Sequence, residues 1–247
     1  TFVHGAMCMS FSGRCLLSNY MVGRDANRGE CAQPCRWGYY LMEEKRPGQY
    51  FPIFEDEKGS YILNAKDMCM IEYIDKVIDA GVTSLKIEGR AKSFYYVAVV
   101  TNAYRQAVDL YKKDPKNFKL PSWIEEETRK VSHRQYSTGF YFGRPEEGQY
   151  YENGGYVRQW DVVAVVDKTE GDVLYCTQRN KFSVGEEVEI IRPFATLEDR
   201  TVTYQVTEIT DELGNKRESA NNAMMKFTMP AKGLNLPQGS IIRRAAE

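Results

Sequence analysis

Four cysteines, Cys8, Cys15, Cys31 and Cys35, fall within 28 residues at the spacing C-x6-C-x15-C-x3-C. No other feature narrows the fold of this chain as much. Soft thiolates are the ligands an iron–sulfur cluster wants, and four of them complete one cubane. Converging on one point requires an irregular backbone, and the run from Gly23 to Glu30 has turn residues and charge but no apolar period. It reads as an ordered loop over a site. Zinc takes the same ligands, but structural zinc sites usually show two tight C-x2-C pairs, which C-x6-C fits poorly. Buried free thiols are the third reading. Arg14, Arg24, Arg28 and Arg36 lie beside the cysteines in sequence; nearby cations depress thiol pKa values and offset the negative charge of a ligated cluster. Cys69, at the start of the next expected helix, competes with Cys35 for the fourth ligand position. Cys176 sits in an apolar strand and reads as structural.

Disulfides are the weaker use of these thiols, because the N-terminal residues lack the basic and apolar regions of a secretory leader. A reducing, cytoplasmic compartment is expected. No run approaches the ~18 apolar residues of a membrane span, so no membrane partner is expected. Basic and acidic residues number 13 and 13 over 1–110, 8 and 7 over 111–157, and 12 and 14 over 158–247. With a net charge of −1, no segment is a basic arm, although a local patch can still bind nucleic acid.

Beyond the cysteines the pattern changes twice. Residues 41–62 are short apolar runs broken by Pro and Gly, expected to form a hairpin or an irregular excursion. Asp67 is placed to cap a helix carrying Met70, Ile71, Ile74, Val77 and Ile78, closed by Gly81. A strand over 82–88 follows. Ser93 then caps a helix to about 111, with Tyr96, Val97, Val100, Tyr104, Ala107 and Val108 as its buried stripe. This helix–strand–loop–helix order belongs to an α/β barrel or an open parallel sheet. In such folds the loop after a strand carries function, which singles out Glu88 and Arg90. A short acidic helix over 122–131 and an aromatic extended stretch over 132–143 form a connector, 116–157. From 158 onward strand-like runs at 162–166, 173–176, 188–191, 202–209, 224–229 and 241–242, with turn signals at Gly171 and Gly214, indicate a small β-barrel or sandwich. Arg243 and Arg244 read as a solvated terminus or as contacts to a nucleic-acid backbone. With two histidines and no Gly-x-Ser-x-Gly or His-Glu-x-x-His pattern, hydrolytic machinery is not visible. His4, near Cys8, is the one candidate base for a thiol.

The segment from Phe2 through Cys8 and Cys15 to Ser18, the run Arg24-Asp25-Ala26-Asn27-Arg28-Gly29-Glu30-Cys31 with Cys35, and Lys86-Ile87-Glu88-Gly89-Arg90 with Lys92-Ser93 closely resemble peptidase family U32, the collagenase-like proteases. So do Ser132-His133-Arg134 and Thr138-Gly139-Phe140. The resemblance covers most of 1–143. It implies α/β plus all-β architecture: the C-terminal half of a TIM-barrel-like domain over 1–115, the connector, and a small β-barrel over 158–247. The family pattern opens with a Glu that would precede Thr1, so a fragment beginning inside the barrel is expected. The missing N-terminal half, or a paired family member, would then complete it.

Two activities attach to the family: proteolysis, and oxygen-independent hydroxylation with prephenate as oxygen donor and a [4Fe–4S] cluster. The long cysteine-loop match and the appended β domain look most like the branch that hydroxylates the wobble uridine of tRNA. On that resemblance Cys8, Cys15, Cys31 and Cys35 are cluster ligands, with Cys69 as the alternative fourth. Arg24, Arg28 and Arg36, with Arg90, are candidates for binding the carboxylates of prephenate or RNA phosphate. Glu88, Arg90 and His4 are the candidate catalytic residues, Glu88 bracing an Arg or handling a proton.

Overall fold

The computed structural model describes residues 1–8, 15–37, 39–41, 45, 47–48, 51–52, 66–143, 156–193 and 201–246, without the side chains of Asn27, Arg36, Leu41, Phe51 and Pro52. They fall into two compact units, Thr1–Val157 and Arg158–Glu247.

The first unit is mixed α/β. Its strands are β1 (Phe2–Ala6), β2 (Tyr40–Leu41), β3 (Phe51–Pro52), β4 (Asp67–Cys69), β5 (Lys86–Glu88) and β6 (Tyr136–Ser137), and its helices are α1 (Leu17–Val22), α2 (Ile74–Asp79), α3 (Phe94–Lys113) and α4 (Ser122–Arg129). Four strands form one sheet in the order β5-β1-β4-β6. β1 runs parallel to β5, and β4 parallel to β6, but β1 and β4 are antiparallel. The ladder is therefore mixed rather than uniformly parallel. β2 and β3 pair as an antiparallel ribbon, and apart from residues 45 and 47–48 the rest of the expected 41–62 excursion lies outside the described residues.

Asp67 does not cap a helix. It opens β4, fully buried, and the helical segment begins only with a 3-10 turn at Ile71–Tyr73. Cys69 is accordingly a strand residue. The apolar spacing from Met70 onward suited a helix, but pairing with β1 supplies the backbone partners of 67–69 and overrides it. The strand expected over 82–88 shortens to β5. α3 forms as its cap predicts, with the Ser93 Oγ accepting the Tyr96 N–H at 3.3 Å. Its buried face includes Tyr95, Val99, Ala103 and Tyr111, whereas Val97 is exposed.

Tyrosine hydroxyls seat the helices on the sheet. Tyr104 of α3 donates to the Val3 carbonyl (2.8 Å) and accepts the Met70 N–H (3.0 Å). Tyr95 donates to the Lys130 carbonyl at 2.8 Å, just beyond α4. The segment 116–157 contributes α4 and β6 to this unit.

The second unit holds an eight-stranded sheet built from antiparallel pairs, in the order β11-β10-β16-β7-β8-β15-β12-β13, and a separate antiparallel pair, β14-β9. Its strands are β7 (Trp160–Glu170), β8 (Val173–Gln178), β9 (Phe182–Ser183), β10 (Glu187–Ile191), β11 (Thr201–Gln205), β12 (Ile209–Asp211), β13 (Lys216–Arg217), β14 (Ser219–Ala220), β15 (Lys226–Pro230) and β16 (Ile241–Ala245). Strict alternation in β15, Phe227 and Met229 buried between more exposed neighbours, gives the sheet one apolar face. That face forms a core with Val163, Leu174, Ile190, Val206 and Ile242. Gly171 (φ +57°) turns β7 into β8, as its position predicts.

Arg243 is not a solvated terminal residue. Its side chain is 0% exposed, bonded to Glu189 (2.7 Å) and set against the Trp160 ring at 4.9 Å. Arg244 pairs with Glu186. Both ion pairs link β16 residues to the segment around β10, the neighbouring strand.

Candidate functional site

One cleft of about 720 Å³ in the first unit gathers the cysteine segment, the start of β1 and the end of β5. Among the described residues it is lined by Cys8, Cys15, Cys31 and Cys35, by Lys86, Glu88, Arg90 and Lys92, and by His4, Phe2 and Phe140.

Local backbone chemistry builds the cysteine side. Gly23 (φ +67°) ends α1, its N–H bonding the Asn19 carbonyl while the Arg24 N–H reaches Ser18. The Asp25 carbonyl then accepts the N–H groups of Arg28 and Glu30, both at 3.1 Å, folding the loop back. Ser18 Oγ accepts the Ala32 N–H at 3.0 Å and ties α1 to the strand of chain bearing Cys31. Gln33 takes a left-handed conformation (φ +55°), which lets its N–H donate to the Cys31 sulfur at 3.3 Å.

Two glycines bring the strand-end loop against this segment. A side chain at Gly5 (φ +123°) would meet the Glu88 carbonyl oxygen at 2.5 Å, so β1 and β5 approach closely only with glycine there. One at Gly29 (φ +90°) would meet Arg90 Cδ at 2.3 Å, so the Arg90 stem lies directly on the cysteine loop. Glu88 turns its carboxylate onto the Arg90 N–H at 3.0 Å. The candidate pair from the strand end is thereby placed beside the cysteines.

The remaining candidates scatter. Arg24 is exposed. Arg28 is 83% exposed and faces Asp25 at 3.4 Å. Neither lines the cleft. Arg14 and the Arg36 side chain lie outside the described residues. Cys69 does not line the cleft either: its thiol bonds to Tyr104 and Thr128, and burial pushes its pKa up to about 11.

The donor set fits a soft metal cluster in kind, four thiols around one cleft with an N–H donated to one of them. Among the described residues no three His, Cys, Asp or Glu side chains already stand together as a metal cage. Cys8, Cys15 and Cys31 are on irregular backbone and Cys35 is in the 3-10 turn Pro34–Arg36.

Below the cysteines lies a buried polar group that spacing does not announce. Asp67 is buried, and its carboxylate accepts the Arg134 N–H at 3.1 Å and faces the Lys92 ammonium at 3.5 Å. Lys92 is 8% exposed at its side chain, donates to the Ser132 carbonyl (3.1 Å), and sits over the rings of Tyr156 (4.2 Å) and Tyr96 (4.9 Å). His4 is packed between Tyr96, Tyr104 and Tyr136. Burial lowers its pKa to about 3, with Asp67 opposing, so the ring is neutral. His133 stacks on Tyr136 at 4.3 Å, and burial lowers its pKa as well. The sequence signal for Lys92 was its place just past a strand-end loop and before a helix cap.

Fold and site define a cysteine-cleft α/β unit followed by an antiparallel β unit. Residues 1–150 match Peptidase family U32, and residues 158–243 match the Peptidase family U32 C-terminal domain. The chain belongs to peptidase family U32. It is 38% identical to tRNA hydroxylation protein P1 of Bacillus subtilis, over 94% of this chain and 55% of that protein. It is 37% identical to tRNA hydroxylation protein P of Escherichia coli, over 78% of this chain and 51% of that protein. A collagenase of Porphyromonas gingivalis is 30% identical over 98% of this chain and 57% of that protein. The chain thus spans about half the length of the curated relatives it matches.

Proposed function

We propose that this chain is the cluster-bearing part of an RNA hydroxylase that forms 5-hydroxyuridine at the tRNA wobble position with prephenate as oxygen donor. The observation that carries the reading is the single cleft where four cysteines meet Lys86, Arg90 and Lys92. Thiols suit a redox cluster, and the cations suit a carboxylate-bearing co-substrate. The names of the Bacillus and Escherichia relatives support it. On this reading the first unit is the C-terminal half of a TIM-barrel-like domain, completed by further chain or a paired family member. The second is a small β-barrel, and the protein works in the cytoplasm.

Cys8, Cys15, Cys31 and Cys35 would hold a [4Fe–4S] cluster, zinc being the lesser alternative on spacing. A cluster there supplies one-electron chemistry beside the cleft. Arg90, held by Glu88, offers a guanidinium for bidentate pairing with a carboxylate. Arg24 and Arg28, exposed and off the cleft, would meet RNA phosphates rather than the small molecule, and Arg36 is a candidate for either. His4 is neutral and takes part as a hydrogen-bonding group, not as an acid.

The collagenase relative favours a peptidase. Against it, burial lowers the pKa of both His4 and His133, which makes each a weak base for a thiol. The complete protein, purified without oxygen, should carry about four irons per chain and form 5-hydroxyuridine in tRNA only when prephenate is added. Iron-free protein that cleaves a collagen-like peptide, with no change in tRNA nucleosides by mass spectrometry, would overturn the reading.

A further inference from the structure

The loop–helix junction after β5 holds a cation that the cluster chemistry does not need. Lys92 lines the cleft although its side chain is 8% exposed. An ammonium has three donors. One reaches the Ser132 carbonyl at 3.1 Å, one faces Asp67 at 3.5 Å, a long contact, and the third has no acceptor. Two further polar atoms in the same neighbourhood are buried without a partner: His4 Nδ1 and the Tyr96 hydroxyl. Buried polar groups are nearly always bonded. Lys92 and His4 both line the cleft, and an unpaired donor on one and an unpaired ring nitrogen on the other point to an oxygen-rich ligand there.

Their polarities specify it further. Tyr136 donates its one proton to the Thr128 carbonyl at 2.6 Å. Its oxygen therefore accepts from His4 Nε2 at 3.4 Å, which leaves His4 Nδ1 as an acceptor. Lys92 and Tyr96 are donors. At the cleft itself Lys92 and His4 are the two groups to satisfy, and an anion with carboxylate oxygens and a hydroxyl serves both, the hydroxyl donating to His4. The Tyr96 and Tyr156 faces hold the ammonium in place without neutralising it.

We infer that Lys92 is a specificity-determining residue of the cleft, its ammonium receiving a carboxylate of a hydroxy-acid ligand. This rests on the reading of the cleft as the site of a carboxylate co-substrate, and it assigns the carboxylate to a residue other than Arg90. Lys92 is not part of the cysteine set.

The test is calorimetric binding of prephenate, a hydroxy dicarboxylate, to the complete protein and three variants. Lys92→Met should weaken binding about 10- to 100-fold, the loss of one charge-assisted hydrogen bond, with tRNA binding unchanged. Lys92→Arg should restore most of it. Because Lys92→Met also takes the ammonium away from the buried Asp67 carboxylate, the Asp67→Asn/Lys92→Met double variant removes both charges together. If Lys92 touches the ligand, the double variant stays as weak as Lys92→Met. Recovery to wild-type affinity in the double variant, or no weakening in Lys92→Met, overturns the assignment while leaving the co-substrate reading intact. Wild-type protein that does not bind prephenate overturns that reading, and the Lys92 assignment with it.

Discussion

His4 makes the stability of the first unit depend on pH in a calculable way. Its ring is 0% exposed and burial lowers its pKa from 6.5 to about 3. The unfolded chain therefore binds a proton near pH 6.5 that the folded chain refuses until about pH 3. In that window the unfolded state carries more protons, so stability falls as pH falls. The slope approaches about 1.4 kcal/mol per pH unit, and about 2 kcal/mol disappears between pH 7 and pH 5. That interval lies above the ordinary carboxylate range, so His4 dominates it, and His133, lowered in the same direction, adds to the loss. His4→Phe keeps the ring contacts with Tyr96, Tyr104 and Tyr136 and removes the titration. Urea unfolding in a Trp160→Phe background, where Trp37 and Trp123 report on the first unit alone, measures both proteins at pH 7, 6 and 5. The wild type should lose about 2 kcal/mol more than His4→Phe over this range. Parallel pH profiles for the two would refute the placement of a neutral His4 in the core.

The other expectations are simpler. Gly5→Ala should destabilise the first unit by more than ~2 kcal/mol, since its Cβ meets a backbone carbonyl at 2.5 Å, whereas Gly81→Ala, at φ +83° but in open space, should lose only about 1 kcal/mol by the same urea assay. Cys8→Ser or Cys31→Ser should abolish iron binding in anaerobically reconstituted complete protein, while Cys69→Ser should leave iron content unchanged by metal analysis. Arg243→Ala should destabilise the second unit by about 2–4 kcal/mol, because it empties a fully buried position and strips Glu189 of its partner. Arg243→Met should recover part of that in thermal unfolding.

The sequence made the long periodic elements legible and left the short ones obscure. α3 has a cap, about five turns and an apolar stripe, and it formed where the pattern put it; only Val97 turned outward. The runs at 162–166 and 173–176 became β7 and β8, joined by the Gly171 turn. β4 was hidden because three residues show no period, and the apolar spacing after Met70 belongs to a helix that starts later. Non-local pairing with β1 decided it. Arg243 misled for a related reason: near the chain end a charge reads as solvated, and only strand pairing reveals that β16 lies between β7 and β10.

The same division runs through the site. Cysteines announce themselves because few roles need four thiols in 28 residues, and the cleft does draw in Cys8, Cys15, Cys31 and Cys35. Glu88 and Arg90 were visible from the rule that strand ends carry function. Lys92 and Asp67 were not visible as a pair, since a lysine and an aspartate 25 positions apart have no joint pattern, and Asp67 alone reads as a helix cap. What pairs them is the burial of Asp67 in a strand and the start of α3 beside it, two facts of tertiary structure. An ammonium withdrawn from water is harder to explain than an exposed one, because the fold must supply partners for it. Here the partners are Asp67, Ser132 and two tyrosine faces, and they leave one donor over. The cysteine loop meets the strand-end loop at the Gly29–Arg90 contact, and β1 meets β5 at Gly5–Glu88. The chemistry of the cleft thus depends on two glycines that carry none of it themselves.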